Sequence, residues 1–205
     1  PSGETIALAE GYQYLEIADF DGIGNGKTHT GKDHLLYETP AGLIPVGYGG
    51  FFQANGFLNS TFQNCATEGI RGRVLELYAG SGFFTAALIK NAAVEAIELN
   101  KTAAALARKV GLPVRAADVS VISGGKSRDD VVFMDPPRDG GDKKTLAAVQ
   151  AISPAQIVYV SCNPMTLARD LMKLSDSYSI TEFTLFDMFP HTFHTESVVK
   201  LKKLV

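Results

Sequence analysis

The feature that most constrains this chain is a regular alternation of short apolar runs with helical patterns between residues 73 and 174. The runs are rich in β-branched residues, which predicts buried strands. These strands are expected at Arg73–Tyr78, Val94–Glu98, Pro113–Ala116, Val131–Met134 and Ile157–Ser161. Apolar residues at helical spacing predict the helices between and after them, at Gly82–Asn91, Lys101–Val110, Asp142–Ala151 and Met165–Leu174. The alternation is typical of a doubly wound α/β fold with a mostly parallel sheet.

The ends of the chain depart from this alternation. Two runs near the C-terminus, Ser179–Phe186 and Ser197–Leu201, have no helix between them. They predict an antiparallel hairpin at one edge of the sheet. A helix is expected at Phe52–Glu68, with Cys65 on its apolar stripe and therefore in the core.

Residues 1–50 are predicted to form a small β-rich lead-in to a main domain of residues 51–205. Short strands are expected at Tyr12–Ile17 and His34–Glu38, and the Gly-rich segment Asp21–Asp33 between them is typical of a loop. This loop carries Lys27, His29 and Lys32. Those side chains suit a phosphate contact, but a solvated turn is the commoner role of such loops.

Composition narrows the class of protein. The 205 residues have a formal net charge of −3, so binding to nucleic acid would need a local basic patch. Two cysteines, Cys65 and Cys162, cannot build a disulfide framework or a four-cysteine metal or iron–sulfur site. We therefore expect a reducing, cytoplasmic setting and no metal. The chain has neither a signal-peptide pattern nor an apolar run that could span a bilayer.

A Gly-rich turn follows the first strand of the alternation. In Val74–Phe84, VLELYAGSGFF, Gly80 and Gly82 allow the backbone to approach a ligand closely. The spacing is too short for the dinucleotide fingerprint, and the Lys and Ser/Thr of a P-loop are absent. The next two strands lead to Glu98 and Asp118, placed to accept ribose hydroxyls and to meet an adenine edge. Glu98 also suits a solvated acid that begins a helix, and Asp118 a turn or N-cap residue. Together the three turns predict a nucleoside-binding crevice.

Two further predicted strands end in side chains that could take part in a reaction. Phe133–Gly141, FMDPPRDGG, places Asp135 at a carboxyl end and Arg138 on a backbone made rigid by two prolines. Ile157–Asp170, IVYVSCNPMTLARD, places Cys162 at a strand-to-helix turn, where the helix dipole could favour a thiolate. A lone cysteine is equally compatible with a small buried hydrophobe.

Five segments together resemble one family. They are FFQAN (51–55), ELYAGSGFF (76–84), DPPR (135–138), YVSCNPMTLARDL (159–171) and DMFPHTFHTES (187–197). The chain from about Phe51 onward resembles the catalytic domain of the S-adenosylmethionine (SAM)-dependent RNA uracil-5-methyltransferases, which make 5-methyluridine in transfer or ribosomal RNA. The resemblance implies a Rossmann-like methyltransferase sheet with an antiparallel C-terminal edge. It also implies SAM as cofactor and RNA as substrate.

The resemblance implies roles for single residues. Cys162 matches the nucleophile, Glu196 the general base, and Arg138 an arginine near the target base. Positions that match SAM contacts are Gln53, Tyr78, Glu98 and Asp135, beside Gly80, Gly82 and Asp118 of the predicted crevice. A thiolate that adds at C6 of uracil makes C5 nucleophilic, and a base must then remove the C5 proton. Glu196 suits that role if burial raises its pKa. His191 and His194, its neighbours in sequence, are weaker candidates.

The chain departs from the family at three points. Phe83 stands where many relatives have a small or amide residue near the cofactor, only about fifty residues precede the catalytic domain, and iron–sulfur cysteines are absent.

Candidate basic contacts to RNA are Arg138, Lys143, Lys144, Arg169, Lys200, Lys202 and Lys203, although the last three suit a solvated edge. The alternatives are a SAM methyltransferase that acts on another base or a small molecule, or a SAM- or RNA-binding fragment without turnover. The oligomeric state stays open.

Overall fold

The computed structural model describes residues 14–15, 22–24, 29–31, 34–47, 50–53, 55–119, 122 and 130–204. Its N-terminal part contains two small antiparallel sheets. Their strands are β1 (Tyr14–Leu15), β2 (Gly22–Gly24), β3 (His29–Gly31), β4 (His34–Thr39) and β5 (Gly42–Gly47). The predicted loop Asp21–Asp33 is therefore partly wrong, because β2 and β3 pair with each other. Backbone hydrogen bonds join strands whatever their side chains, so a glycine-rich composition does not prevent pairing. Lys27, Lys32 and most of the predicted strand Tyr12–Ile17 lie outside the described residues.

The β4–β5 hairpin packs on the rest of the chain. Ile44 of β5 is fully buried in a cluster with Ala79, Ala104 and Leu112. The apolar surface that Ile44 removes from water favours this docking. The predicted lead-in is β-rich as expected. The division of the chain into domains at residue 50 stays a prediction.

A seven-stranded sheet forms the centre of the molecule, in the order β11-β12-β10-β9-β6-β7-β8. Its strands are β6 (Gly72–Leu77), β7 (Ala92–Glu98), β8 (Val114–Ala116), β9 (Val131–Met134), β10 (Gln156–Ser161), β11 (Tyr178–Phe186) and β12 (Glu196–Lys203). The helices are α1 (Asn59–Thr67), α2 (Phe83–Leu88), α3 (Lys101–Lys109), α4 (Lys143–Ile152) and α5 (Pro164–Leu174). The predicted alternation is confirmed. The predicted terminal hairpin is also present, with β12 inserted antiparallel between β10 and the edge strand β11.

Helices cover both faces of the sheet. On one face, α4 and α5 contribute Leu146 and Leu174 to a core cluster with Tyr159. On the other face, α1 and α2 contribute Phe62 and Phe84. Cys65 packs, partly buried, against that second cluster, as predicted. Among the helices that the structure describes, none is long and apolar enough to cross a membrane.

The first helix begins later than predicted, at Asn59 and not at Phe52. Asn55 accounts for the difference, because its Oδ1 accepts hydrogen bonds from the backbone N–H groups of Phe57 (3.1 Å) and Leu58 (3.3 Å). Such an Asx turn competes with the helix for the same backbone donors. The preceding residues are therefore free to run non-helically along the domain, where Gln53 is buried.

Strand register decides which side chains meet. Leu77 pairs with Met134 and with Ile97, so the next residues, Tyr78, Asp135 and Glu98, emerge at one edge of the sheet. On the other side, Ser161 of β10 pairs with Ser197 of β12 in antiparallel register. Cys162 follows Ser161 and Glu196 precedes Ser197, so the two residues lie opposite each other at the same edge.

Candidate functional site

The turn between β6 and α2 has an unusual backbone. Tyr78, Gly80 and Gly82 have φ values of +64°, +57° and +92°. A Cβ atom on Gly82 would collide with the side chain of Leu112, so this position requires glycine. A Cβ on Gly80 would meet no described atom within 4 Å, so the backbone there faces open space. The turn thus leaves exposed backbone beside a space that a ligand can fill.

Glu98 is tied directly to this turn. Its Oε2 accepts a hydrogen bond from Gly80 N at 2.7 Å, and its Oε1 accepts one from Asn100 N at 2.6 Å. Asn100, and not Glu98, caps α3, because its side chain accepts from Thr102 N and Ala103 N. The carboxylate is therefore an organised part of the predicted crevice.

Two further carboxyl groups lie around the turn, and of these Glu76 is buried and Asp135 is half-buried. Glu76 is 1% exposed, and its Oε2 has no hydrogen-bond partner among the described atoms. Burial raises the pKa of Glu76 to about 8; nearby Thr85 opposes the rise, and the charges of Asp135 and Glu98 add to it. Burial alone raises the pKa of Asp135 to about 7. A crowded set of acids with raised pKa values favours a positively charged ligand.

Sequence reasoning missed Glu76. An acid in the middle of the apolar run Val74–Leu77 was the available signal, because buried strands seldom carry an unpaired carboxylate.

The remaining predicted cofactor positions lie along the same edge. Gln53 is 7% exposed, and its buried Oε1 has no hydrogen-bond partner in the part of the chain that the structure describes. Tyr78 places its hydroxyl 3.4 Å from Thr145 Oγ1. Burial raises the pKa of Tyr78, and the charge of Asp118 is among the neighbours that add to the rise. Asp118 is therefore close to Tyr78, although its own side chain is exposed.

Phe83 points into the core beneath Gln53. Its ring is 8% exposed and meets Phe52 edge-on with centroids 5.6 Å apart. Phe52 in turn stacks on Tyr37 of the N-terminal hairpin at 4.2 Å. Phe83, which departs from the residue types of many relatives, therefore supports the segment that carries Gln53 by aromatic packing.

Cys162 and Glu196 form a second group at the same edge. Glu196 is 3% exposed, and Cys162 is a half-buried free thiol. Burial raises the pKa of Glu196 to about 8; Asp135 adds to the rise and Arg138 opposes it. Burial also raises the pKa of the Cys162 thiol, with Glu196 and Asp135 adding and Arg138 opposing. The expected help from the helix dipole is therefore outweighed, because burial and two acidic neighbours disfavour the thiolate.

Arg138 is the cation of this group. It is exposed, and its guanidinium is close enough to lower the pKa values of both Cys162 and Glu196. Its backbone carbonyl accepts hydrogen bonds from Asn163 Nδ2 and Thr166 Oγ1, each at 3.0 Å. The structure thus brings Cys162, Glu196, Asp135 and Arg138 into one electrostatic cluster.

The two histidines flank this cluster in sequence. His191 is exposed, with φ +65°. His194 is half-buried and packs on Phe193 with ring centroids 4.2 Å apart. These observations assign His194 to packing of the segment before β12 and give no separate support to a chemical role.

One candidate RNA contact proves wrong. Lys200 is 5% exposed, its Nζ lies 2.9 Å from Glu182 Oε2 and donates to Glu68 O, and it is therefore not available to a phosphate. Arg169 is exposed, although its Nε and Nη2 donate to Asp170 and to the carbonyl of Asp139. The exposed basic side chains of the set are Arg138, Lys143, Lys144, Arg169, Lys202 and Lys203.

Within the described ranges, no group of three or more His, Cys, Asp and Glu side chains could hold a metal ion.

Comparisons with known proteins show which proteins this chain is similar to. A family model described as tRNA (uracil-5-)-methyltransferase matches residues 115–204. An uncharacterised RNA methyltransferase of Caldanaerobacter subterraneus is 38% identical over 171 residues, which is 75% of this chain and 38% of that protein. A tRNA/tmRNA (uracil-C(5))-methyltransferase of Musicola paradisiaca is 33% identical over 180 residues, which is 75% of this chain and 48% of that protein. The chain spans less than half the length of these two relatives.

A solved structure is also similar. The Pyrococcus abyssi tRNA (uracil-54, C5)-methyltransferase, in complex with S-adenosyl-L-homocysteine, has a TM-score of 0.76 and 29% sequence identity. The similarity covers 93% of this chain and 49% of that one. This likeness confirms the predicted Rossmann-like methyltransferase fold.

Proposed function

Because the chain belongs to the tRNA (uracil-5-)-methyltransferase family, we propose that it transfers a methyl group from SAM to C5 of a uridine in transfer or ribosomal RNA. The observation that carries this proposal is the placement of Cys162 opposite Glu196, with Arg138 close to both. A thiol, a carboxyl and a guanidinium are the three groups that C5 methylation of uracil requires. We place the activity in the cytoplasm, where reducing conditions keep a free thiol reduced.

The residues around the Gly-rich turn fit the cofactor. SAM carries a sulfonium and an ammonium group, and the carboxyl groups of Glu76 and Asp135, whose pKa values are raised, can give up their protons when such a cation binds beside Glu98. The unpartnered Oε1 of Gln53 can accept a hydrogen bond from the ammonium. Glu98 can accept from ribose hydroxyls, and Asp118 can contact the adenine edge. The open backbone at Gly80 leaves room for the cofactor beside the hydrogen bond that joins Gly80 to Glu98.

Cys162 acts as the nucleophile in the proposed reaction. Its Sγ adds to C6 of the uracil and forms a C–S bond, so that negative charge develops on the ring and its carbonyl oxygen. Arg138 can stabilise that charge, because it is the exposed cation next to Cys162. When bound, SAM would supply an electrophilic methyl group to C5 and leave as S-adenosyl-L-homocysteine.

Glu196 completes the reaction as the general base. It removes the C5 proton, and the electron pair restores the C5–C6 double bond as the Cys162 thiolate leaves. A pKa of about 8 suits this role, because the carboxylate becomes a stronger base than an exposed glutamate. The target uridine has to leave its stack to reach a half-buried thiol.

The test measures transfer of radiolabelled methyl from SAM to unmodified transfer RNA and ribosomal RNA. We expect 5-methyluridine in the wild-type reaction and none with Cys162→Ala. Cys65→Ala is the matched control, because Cys65 packs in the core away from the sheet edge and its loss should leave transfer intact. Transfer that survives in Cys162→Ala would refute the covalent mechanism.

A second variant separates the roles of the two groups. Glu196→Gln retains the nucleophile but lacks the base, so we expect a methylated RNA–protein adduct that persists on a denaturing gel. Absence of the adduct in Glu196→Gln and of the product in the wild type, with SAM binding intact in both, would contradict turnover by this chain and favour a cofactor-binding fragment.

A further inference from the structure

A buried aspartate holds the loop that carries Arg138. Asp170 of α5 is fully buried, and its Oδ2 accepts hydrogen bonds from Gly141 N (2.8 Å), Tyr159 Oη (2.9 Å) and Arg169 Nη2 (3.1 Å). Its Oδ1 accepts from Arg169 Nε at 2.9 Å. Arg169 also donates to the carbonyl of Asp139 at 2.8 Å. One side chain therefore organises the end of the segment 138–141, hereafter the arginine loop.

Asp170 holds the loop as a charged group. Burial by itself would raise the pKa of Asp170, but hydrogen bonds from Arg169, Tyr159 and Gly141 outweigh burial and lower it. The contact is also close. A Cβ atom on Gly140, which has φ +75°, would lie 2.5 Å from Asp170 Oδ2 and 2.7 Å from Arg169 Nη2. Glycine at position 140 therefore lets the loop sit directly on α5.

The other end of the arginine loop is anchored beside Cys162. The carbonyl of Arg138 accepts hydrogen bonds from Asn163 Nδ2 and Thr166 Oγ1. The same Asn163 side chain caps α5 through Met165 N, and Asn163 directly follows Cys162. Positions 163, 166 and 170 are three and four residues apart and so lie on one face of the helix.

These contacts join the nucleophile and the arginine through a single element. We propose that Asp170, Thr166 and Asn163 are positioning residues that clamp the arginine loop to α5 and thereby hold the Arg138 guanidinium beside Cys162. An effect of the clamp on catalysis rests on the proposed function, but the contacts that form the clamp are present in the folded chain. When the clamp is loosened, Arg138 moves away and Cys162 loses a neighbour that favours its thiolate.

The experiment measures alkylation of Cys162 by iodoacetamide as a function of pH, with peptide mass spectrometry to separate it from Cys65. Neither RNA nor SAM is needed, so failure of the clamp and failure of the methyltransferase proposal are distinguishable. For Asp170→Asn we expect the pH midpoint for Cys162 to rise by roughly half a unit, which is about threefold slower alkylation at pH 8. Arg138→Ala should give a similar shift. Cys65 should react unchanged in both.

The double variant decides whether Asp170 acts through Arg138. Asp170→Asn in the Arg138→Ala background should cause no further shift, because the group it positions is already gone. Additive shifts, or equal changes at both cysteines, would overturn the clamp in favour of a general structural role. Asp176→Asn, an exposed change of the same chemistry just beyond α5, is the matched control and should leave Cys162 unaffected.

A milder variant keeps the test valid if Asp170→Asn does not fold. Thr166→Val preserves the shape of the side chain and removes the donor to the Arg138 carbonyl. We expect a smaller shift of the Cys162 midpoint in the same direction. A wild-type midpoint in Thr166→Val, together with a wild-type midpoint in any folded Asp170→Asn protein, would refute the proposal.

Discussion

Glu76→Gln should make the free protein more stable, and increasingly so as pH rises. Glu76 is 1% exposed, and burial raises its pKa to about 8 from an ordinary value of 4.5. The native state therefore binds the proton more tightly than the unfolded state does. The stabilisation that this proton supplies is complete below pH 4.5 and is lost as pH rises through 8. Glutamine has nearly the same shape and cannot ionise, so the variant escapes this loss.

The size of the effect follows from the two pKa values. Between pH 5 and pH 8 the native state releases its proton only at the end of the range, whereas most unfolded chains are ionised throughout. Integration over this range with pKa values of 4.5 and about 8 gives a loss of roughly 3 kcal/mol in the wild type. Asp135 and Glu196 also have raised pKa values, but both proteins retain them, so the difference between the proteins reports Glu76 together with its coupling to Asp135.

Urea unfolding of both proteins at pH 5, 6, 7 and 8, without SAM, provides the assay. The free-energy advantage of Glu76→Gln should grow by roughly 3 kcal/mol from pH 5 to pH 8. Glu95→Gln is the control, because Glu95 is exposed and paired with Arg115 at the surface, where such pairs contribute little. Parallel stability curves for wild type and Glu76→Gln would refute the assignment of a buried, neutral carboxyl at this position.

Three further predictions concern the same edge of the sheet. Gly82→Ala should lower the free energy of unfolding in urea by about 2 kcal/mol, because φ is +92° and the new Cβ meets Leu112; an unchanged midpoint would contradict this geometry. In the proposed mechanism Glu196 and the Cys162 thiol both act deprotonated and both have raised pKa values, so kcat/KM of methyl transfer should increase with pH through 8 and beyond; a kcat/KM that falls over pH 6 to 8 would contradict the roles. SAM binding at pH 7.5 should release protons, because a cation lowers the raised pKa values of Glu76 and Asp135; calorimetry in buffers of different ionisation enthalpy measures this release, and proton uptake would count against the acidic cluster.

Local pattern was sufficient for most of the architecture. The strand at Val131–Met134 has the predicted bounds, and the other strands and helices of the main sheet lie close to theirs. The strands could be predicted because a parallel sheet is buried on both faces, so that its strands consist of consecutive apolar residues. The first helix was misplaced because Asn55 forms a turn that side-chain periodicity does not reveal.

The predicted site residues met with mixed outcomes. Gly80, Glu98, Asp135, Cys162 and Glu196 all sit at the edge where their strand positions place them. Their individual roles stay predictions. Lys200 was misjudged, because a basic side chain has the same appearance in sequence whether it faces solvent or packs within the fold.

The sequence by itself determined the α/β architecture and the family, since periodicity and short motifs are local properties of the chain. Only the tertiary structure decided that Cys162 and Glu196 face each other, because that depends on β12 pairing beside β10 in one register. Tertiary structure also decided the charge states. Glu76 and Asp170 are both buried carboxyl groups, but Glu76 lacks donors at Oε2 and has a raised pKa, whereas Asp170 receives several and has a lowered one. Hydrogen-bond partners from distant segments set that difference, and residue type alone does not encode it.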